Sequence, residues 1–161
     1  LLNTFKKFIL YSIVEFIKKL SERAKNGNVN NTLYLTGNIK SELMEKEWQC
    51  YFEIDSIDTL STGPYWHWAK ESVSQVSDFS KTLLQISSKN NKNTQIWIQG
   101  FKISAGREEE VSDAIEMALN SGVSNIAIWG YEGCSQQSWV RSDNPTLTWQ
   151  NVLSAIQKIK T

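Results

Sequence analysis

The sequence of 161 residues has few cysteines, histidines and prolines, and it carries no net charge. Two cysteines, Cys50 and Cys134, allow at most one disulfide, and a single histidine with no Cys-x-x-Cys pair supplies no zinc cluster. Seventeen basic against seventeen acidic side chains argue against a nucleic-acid partner or an anionic membrane surface. With 40% hydrophobic residues, the chain is predicted to fold as one domain that needs no metal.

Phosphate-binding loops and long hydrophobic runs are absent as well. No GxGxxG or GxxxxGK[ST] segment follows a β-rich run, so we expect no nucleotide or other cofactor. The first twenty residues have apolar side chains at helical spacing, but lysines interrupt them before the roughly 18 to 20 residues that a membrane span requires. Because no small-residue cleavage site follows, residues 1–27 are predicted to form a core-packing helix. The compartment is left open, with a cytoplasmic location slightly favoured over a secreted one.

After this leading helix, β-rich runs alternate with helical ones. The predicted strands cover residues 31–37, 58–66, 94–101 and 125–131. The predicted helices cover residues 39–54 and 72–88, a segment that opens at 107–110 and ends at Gly122, and a last segment through 149–159. Strands that alternate with helices are typical of a parallel sheet. The sequence therefore predicts an α/β fold with four βα units over 31–161.

The two faces of the predicted strands differ in chemistry. In the third strand, Ile96 and Ile98 lie on one face while Gln95, Trp97 and Gln99 lie on the other. A doubly wound sheet has helices on both faces, so its strands should be apolar throughout. A barrel wall instead has one aliphatic face under the helices and an interior that can bear a site. The alternation favours a barrel, and a flavodoxin-like sheet stays as the alternative.

The segments STGPYW, IWIQGFKISAGREEEV and GVSNIAIWGYEG together resemble the last strands of a glycoside-hydrolase-type (β/α)8 barrel. The resemblance implies that the four strands correspond to strands 5 to 8 of such a barrel, and that Trp129 is the floor for a sugar ring. It places the acid/base glutamate on strand 4, ahead of Leu1, and the nucleophile at the end of strand 7, where this chain has Gln99. Gly63 stands where related barrels commonly have an aspartate. The two carboxylates that hydrolysis needs are therefore not visible in this chain.

Aromatic residues near the predicted strand ends are the candidates for binding carbohydrate, because aromatic rings stack on the C–H faces of sugars. The candidate binding residues are Trp129, Tyr131, Trp97, Tyr65 and Trp66, together with Gln99 as an amide partner for hydroxyls. Core packing is an equal alternative for Trp97. The other tryptophans on helices and loops, Trp48, Trp139 and Trp149, are expected to pack.

Two residues are candidates for acid–base chemistry. Glu132 follows the last strand, and His67 lies between Trp66 and Trp68. A solvated loop position for Glu132 and a packed position for His67 stay open. The consecutive acids Glu108–Glu110 are explained as first-turn residues of a helix, where its dipole favours negative charge.

Four strands cannot close a barrel, so we expect either a C-terminal fragment of a longer barrel or a pair of half-barrels. The start at Leu1 without methionine favours the fragment. The leading hypothesis is a carbohydrate-binding part of a glycoside-hydrolase-like barrel, which hydrolyses glycosidic bonds if a missing N-terminal half supplies the carboxylates. The alternatives are a non-catalytic half-barrel that binds sugar or a partner and self-associates, and a flavodoxin-like binding domain.

Overall fold

A computed structural model of the chain describes residues 2–36, 48–123 and 125–159. The strands are β1 (Thr32–Leu35), β2 (Thr59–Thr62), β3 (Asn93–Gln99) and β4 (Asn125–Trp129). The helices are α1 (Leu2–Lys25), α2 (Trp66–Ala69), α3 (Gln75–Lys89), α4 (Glu110–Asn120) and α5 (Pro145–Ile159). Residues 48–52 are also helical, and a 3-10 turn (Tyr131–Cys134) follows β4. Of the predicted helix over 39–54, the part up to residue 47 lies outside the described residues, and residues 48–52 are helical. Residues 53 and 54 are not helical, so the helix ends two residues earlier than predicted.

The four described strands form one parallel sheet in the order β1-β2-β3-β4. Each strand is followed by a helix, so the predicted α/β fold with four parallel βα units is confirmed. Sequential order is that of an arc of a (β/α)8 barrel. A flavodoxin-like sheet runs in the order 2-1-3-4-5, which differs from the order found here.

The strand register separates the two faces of the sheet as the alternation predicts. Tyr34, Ser61 and Gln95 lie side by side in one row, and Leu35, Thr62 and Ile96 lie in the next. The rows with aliphatic side chains pack on the helices, in a core formed mainly by these residues: Leu35, Leu60, Ile96, Ile98, Val76, Leu83, Val111 and Ile115. The opposite rows carry the polar and aromatic side chains. Burial of the aliphatic rows provides the main driving force for folding.

The second strand is shorter than the predicted run of 58–66. It ends at Thr62 because Gly63 and Pro64 follow, and proline has no N–H to continue the hydrogen-bonded ladder. Trp66 then begins α2 instead of ending a strand. The strand assignment of Trp66 was therefore wrong, since a fixed period of two residues cannot continue through the proline.

Helix α1 contacts the core mainly through its second half. Val14 and Ile17 pack against the core, and the Asn31 side chain donates hydrogen bonds to the carbonyls of Ser21 and Ser56, at 2.9 and 2.8 Å. The rest of the predicted core-packing face is exposed by 41–62% at Phe5, Ile9, Ile13, Phe16 and Leu20. The predicted helix is present and packs on the core through Val14 and Ile17, but most of its apolar side chains are exposed because no other described element covers them. Within the described residues, none of the helices combines the length and the hydropathy needed to cross a membrane.

Candidate functional site

Aromatic rings meet at the carboxyl ends of three neighbouring strands. Tyr65 follows β2, Phe101 follows β3, and Trp129 ends β4. The ring of Phe101 stands edge-on to Trp129 at 4.2 Å and to Tyr65 at 5.2 Å, between ring centroids. Tyr65 and Trp129 lie 6.5 Å apart with their planes inclined by 33°. Two of the predicted binding residues, Tyr65 and Trp129, are thereby brought together, with Phe101 as their common support.

Two glycines let the ends of β3 and β4 approach closely enough to form this cluster. The Gly100 N–H donates a hydrogen bond of 2.7 Å to the carbonyl of Trp129. Gly130 has φ of +119°, and a Cβ atom there would lie 2.5 Å from the carbonyl oxygen of Gly100. Any larger residue at position 130 would push the two strand ends apart. The contact between Phe101 and Trp129 depends on this close approach.

A third glycine makes room for a pair of tyrosines. The hydroxyls of Tyr34 and Tyr65 are hydrogen-bonded to each other, and a Cβ atom on Gly63 would lie 2.5 Å from the Tyr34 hydroxyl oxygen. Burial raises the pKa of Tyr34 and of Tyr65 above the ordinary value of 10.0. Both phenols are therefore neutral at physiological pH. One hydroxyl donates to the other, so the pair keeps one O–H for a further acceptor and can also accept a hydrogen bond.

Two grooves open around this cluster. The larger one, which we call the mouth groove, has a volume of about 630 Å³ and combines aromatic with polar side chains. Its main lining residues are Tyr34, Thr36, Tyr65, Trp68, Glu71, Gln75 and Trp129. The smaller one, which we call the rim groove, has a volume of about 210 Å³. Its lining residues are Tyr65, Trp68, Phe101, Trp129, Trp139 and Val140.

Glu132 and Tyr131 lie beside Trp129 and do not line the mouth groove. Both are exposed, and the Tyr131 ring stands edge-on to Trp149 at 5.0 Å between centroids. Together with Trp129 they line a separate hollow of about 440 Å³. Glu132 has φ of +50°, in the left-handed region that non-glycine residues seldom adopt. The catalytic role of Glu132 and the binding role of Tyr131 stay predictions.

Gln99 is fully buried at the end of β3, and both ends of its amide are engaged within the chain. Its oxygen accepts a hydrogen bond of 3.1 Å from the His67 backbone N–H, and its nitrogen donates one of 2.9 Å to the carbonyl of Phe101. The amide thus connects the loop after β2 to the loop after β3. In this conformation Gln99 has no surface with which to touch a ligand.

Trp97 and Trp66, both predicted to bind substrate, occupy different depths. Trp97 is half-buried on the polar face of the sheet, with its ring edge-on to Tyr34 at 6.0 Å and its indole N–H bonded to the Gln95 side chain at 3.0 Å. Trp66 is fully buried in the core, and its indole N–H donates to a carboxylate oxygen of Glu110 at 2.8 Å. Only Trp97 keeps exposed surface.

His67 belongs to a polar cluster centred on Glu110. One Glu110 oxygen lies 3.3 Å from His67 Nε2, and Arg107 donates two hydrogen bonds to the carboxylate at 2.8 and 2.9 Å. Only 5% of the His67 side chain is exposed, and within the described residues its Nε2 makes no well-aligned hydrogen bond. Burial and the Arg107 charge lower the pKa of His67 from its ordinary value of 6.5, against the opposing charge of Glu110. His67 is therefore neutral at pH 7.

The carboxylate of Glu110 is ionised in this cluster. Burial acts to raise its pKa, but the hydrogen bonds from Arg107 and Trp66 outweigh that effect and lower it. Sequence reasoning treated Glu110 as a first-turn acid of α4, which is correct for its position but misses its partners. Arg107 is a local partner three residues before Glu110, but Trp66 and His67 belong to α2, which the sequence alone does not bring near α4.

Two exposed tryptophans near the mouth were missed or misplaced. Trp68 is 52% exposed and lines both grooves, three residues after Tyr65 on the turn of α2. The spacing from Tyr65 could have predicted that Trp68 lies near the mouth, because residues three apart share one face of a helix. Trp139 was expected to pack, but it is 66% exposed. That expectation was wrong because residue 139 lies in a loop whose position depends on the loop after β3.

No metal-binding group emerges in the described part of the chain, where no three His, Cys, Asp or Glu side chains converge. Cys50 and Cys134 are not joined by a disulfide, and burial raises the pKa of the Cys134 thiol. The fold and grooves thus define an α/β sheet of barrel type with an aromatic mouth at the carboxyl ends of its strands.

The sequence matches no protein-family model and no curated protein. A solved structure from Bacteroides thetaiotaomicron, described as a candidate alpha-L-fucosidase, is similar with a TM-score of 0.66 at 11% identity, over 91% of this chain and 51% of that one. The endo-beta-1,4-mannanase from Thermotoga petrophila is similar with a TM-score of 0.59 at 12% identity, over 94% of this chain and 41% of that one. The chain therefore has a fold found in glycoside-hydrolase TIM barrels and spans about half of these structures or less.

We expect the substitution Gln99→Glu to destabilise the protein. A carboxylate would have no proton to donate to the Phe101 carbonyl, so two oxygens would face each other in a fully buried site. The free energy of unfolding should fall by about 1–3 kcal/mol or more. Urea denaturation measures this loss.

The matched control is Gln95→Glu on the same face of β3, where the side chain is half-buried and accepts a hydrogen bond that a carboxylate can also accept. Equal stabilities of the two variants would contradict this account of Gln99.

Stability should also depend on pH through His67, the only histidine. Because its pKa is lower in the folded protein than the ordinary 6.5, the unfolded chain binds a proton more readily as the pH falls. The stabilisation that the neutral His67 side chain gives the folded protein is present above about pH 6.5 and is lost as the pH falls through its folded-state pKa. We expect the free energy of unfolding to decrease between about pH 7.5 and about pH 5.5. In the variant His67→Gln, the free energy of unfolding should change much less over this pH range. An equal decrease in both proteins would refute the assignment of the pH dependence to His67.

Proposed function

We propose that this chain forms part of a glycosidase-like barrel and binds carbohydrate in the mouth groove. The observation that carries the proposal is the pair Tyr65 and Trp129 at the carboxyl ends of the strands, supported edge-on by Phe101. In (β/α)8 barrels this end of the sheet carries the active site. Exposed aromatic faces at this position suit the C–H faces of sugar rings.

Polar groups in the same groove suit the hydroxyls of a sugar. The neutral, mutually hydrogen-bonded phenols of Tyr34 and Tyr65 together offer one O–H donor and acceptor oxygens, while Glu71 and Gln75 add a carboxylate and an amide. A binding groove that combines a few placed polar groups with an aromatic surface is typical of small-molecule sites. We assign the stacking role to Trp129, which is 38% exposed, and a supporting role to Tyr65.

Hydrolysis requires two carboxylates at a defined separation. Gln99, which the resemblance places at the nucleophile position, holds two loops together through its amide. We propose that Gln99 has a positioning role in this chain, and that any hydrolysis uses a carboxylate pair completed outside it. The two structural relatives fit this proposal, because this chain covers only 51% and 41% of their lengths.

Replacing Trp129 by alanine should weaken sugar binding. We expect the dissociation constant of the preferred glycoside to rise about 2- to 10-fold, as the loss of one aromatic stacking contact implies. The test is isothermal titration of the 161-residue chain with methyl glycosides of glucose, galactose, mannose, fucose and xylose, and with β-1,4-linked mannan oligosaccharides. The matched control is Leu153→Ala on α5, an exposed apolar residue outside the grooves. Binding that is unchanged in Trp129→Ala, or no binding to any sugar by the unmodified chain, would overturn the proposal.

A second candidate function, contact with further polypeptide, is favoured by the exposed face of α1. Phe8 and Phe16 are 67% and 62% exposed on a helix whose opposite side packs on the core. Exposed apolar patches of this kind mark interaction surfaces. In the described residues β1 and β4 each pair with a single strand, so both outer edges of the sheet are also open. We propose that α1 contacts the other half of a barrel, supplied by more of the same chain or by a second copy.

Removing the two phenylalanines should therefore reduce self-association. We expect the 161-residue chain to show concentration-dependent association in sedimentation velocity, and Phe8→Ser combined with Phe16→Ser to weaken it. The control is Lys7→Ser combined with Glu15→Ser, which changes two exposed residues of the same helix and keeps the net charge. If the unmodified chain is monomeric at all concentrations, pairing with a second copy is excluded.

A further inference from the structure

The rim groove differs in chemistry from the mouth groove beside it. Its lining residues bring aromatic rings and the Val140 side chain, and none of them carries a charge or a side-chain amide. Trp68 and Trp139 meet edge-on at 6.0 Å between centroids while staying 52% and 66% exposed. Large apolar side chains that gather around a groove and remain open to water indicate a binding surface for an apolar group.

The loops that form the rim groove hold each other in place. The Lys102 N–H donates to the carbonyl of Val140 at 2.9 Å, and the Asp143 N–H donates to the carbonyl of Ile103, also at 2.9 Å. The Ser142 hydroxyl accepts a hydrogen bond of 3.2 Å from the Ile103 N–H. These bonds join the loop after β3 to the loop after β4, so the lining residues need little ordering when a ligand binds.

The ring of Trp68 is also held by a charge. The Lys102 ammonium lies 4.7 Å from the centroid of that ring, a cation–π contact. Trp68 therefore has a preferred orientation although half of its surface is exposed. The contacts with Lys102 and Trp139 thus fix the Trp68 ring as one wall of the rim groove.

The two grooves are continuous, because Tyr65, Trp68 and Trp129 line both of them. A molecule that occupies both would meet polar partners such as Glu71 and Gln75 at one end. At the other end it would meet aromatic rings around a volume of about 210 Å³. An apolar protein cavity of about 150 Å³ accommodates benzene, so the rim groove is large enough for one aromatic ring.

We propose that the rim groove binds an apolar, ring-sized aglycone of a glycoside whose sugar occupies the mouth groove. This inference rests on the proposed sugar-binding function and names the class of ligand more closely. The ligand is a glycoside that joins a hydroxyl-rich ring to an aromatic or similar apolar group. Phe101, Trp139 and Val140 line the rim groove and not the mouth groove. Of these three, only Trp139 is exposed, so it is the residue to replace in a test.

The experiment compares methyl and phenyl glycosides of the same five sugars, titrated into the 161-residue chain. The phenyl glycoside of the preferred sugar should bind about 2- to 10-fold more tightly than its methyl counterpart, as one added aromatic contact implies. In Trp139→Ala the ratio of the two dissociation constants should move towards one. The variant Trp139→Phe should restore most of the preference, and Leu153→Ala should keep the ratio of the unmodified chain. Because Trp139 is 66% exposed, its replacement should not unfold the protein.

The possible results separate this inference from the proposed function. A phenyl preference that disappears in Trp139→Ala and returns in Trp139→Phe supports the assignment. Equal binding of methyl and phenyl glycosides overturns it and leaves the sugar site intact. A phenyl preference that survives in Trp139→Ala also overturns it, since the aglycone would then lie elsewhere. If neither set of glycosides binds, both the sugar site and the aglycone site are refuted.

Discussion

The close backbone contact between the ends of β3 and β4 is the constraint on which the candidate site depends. The hydrogen bond from Gly100 to the Trp129 carbonyl and the positive φ of Gly130 leave no room for side chains between these strand ends. The ring of Phe101 therefore reaches Trp129, and Tyr65 completes the cluster from β2. A parallel sheet delivers the carboxyl ends of its strands to one edge, and here the glycines bring two of them into direct contact.

Much of the polar chemistry near this edge stabilises the loops. The amide of Gln99 joins two loops, and the carboxylate of Glu110 receives hydrogen bonds from Trp66 and Arg107. A buried polar group costs free energy unless it is paired, so these side chains are matched to partners from neighbouring loops. Polar groups that line the mouth groove, such as Glu71, are not among these paired groups. The site is thus a small set of accessible aromatic and polar groups on a rigid base of paired ones.

The order and type of the elements could be predicted from the sequence because they follow from local periods. The alternation of Ile96 and Ile98 with Gln95 and Trp97 predicts a strand with two different faces. In the structure, the two isoleucines lie in the core together with apolar side chains from the helices. The stop of α4 at Gly122 is equally local, since its φ of +98° favours glycine. The positions of Tyr65 and Trp129 at one end of the sheet could also be predicted, because Tyr65 follows a strand and Trp129 ends one.

Other features lay beyond local patterns. Trp66 was assigned to a strand facing the site, yet it starts a helix and is fully buried. The helical spacing of apolar residues in α1 predicts that this face is buried. Phe16 and Leu20 are nevertheless exposed, because no described element covers them. Trp139 was expected to pack and instead lines the rim groove. Each of these outcomes depends on which distant segment lies opposite the residue.

The sequence by itself determined that this chain forms βα units with one aliphatic and one polar-aromatic face, because backbone geometry sets the periods of 2.0 and 3.6 residues. Only the tertiary structure decided which polar side chains remain available for a ligand. Gln99 and Trp97 occupy equivalent positions in the alternation of β3, but only Gln99 is sealed beneath the loop that begins α2. That difference arises from loops brought together across the sheet. The residues that meet in these loops are far apart along the chain, so no local sequence pattern predicts their contacts.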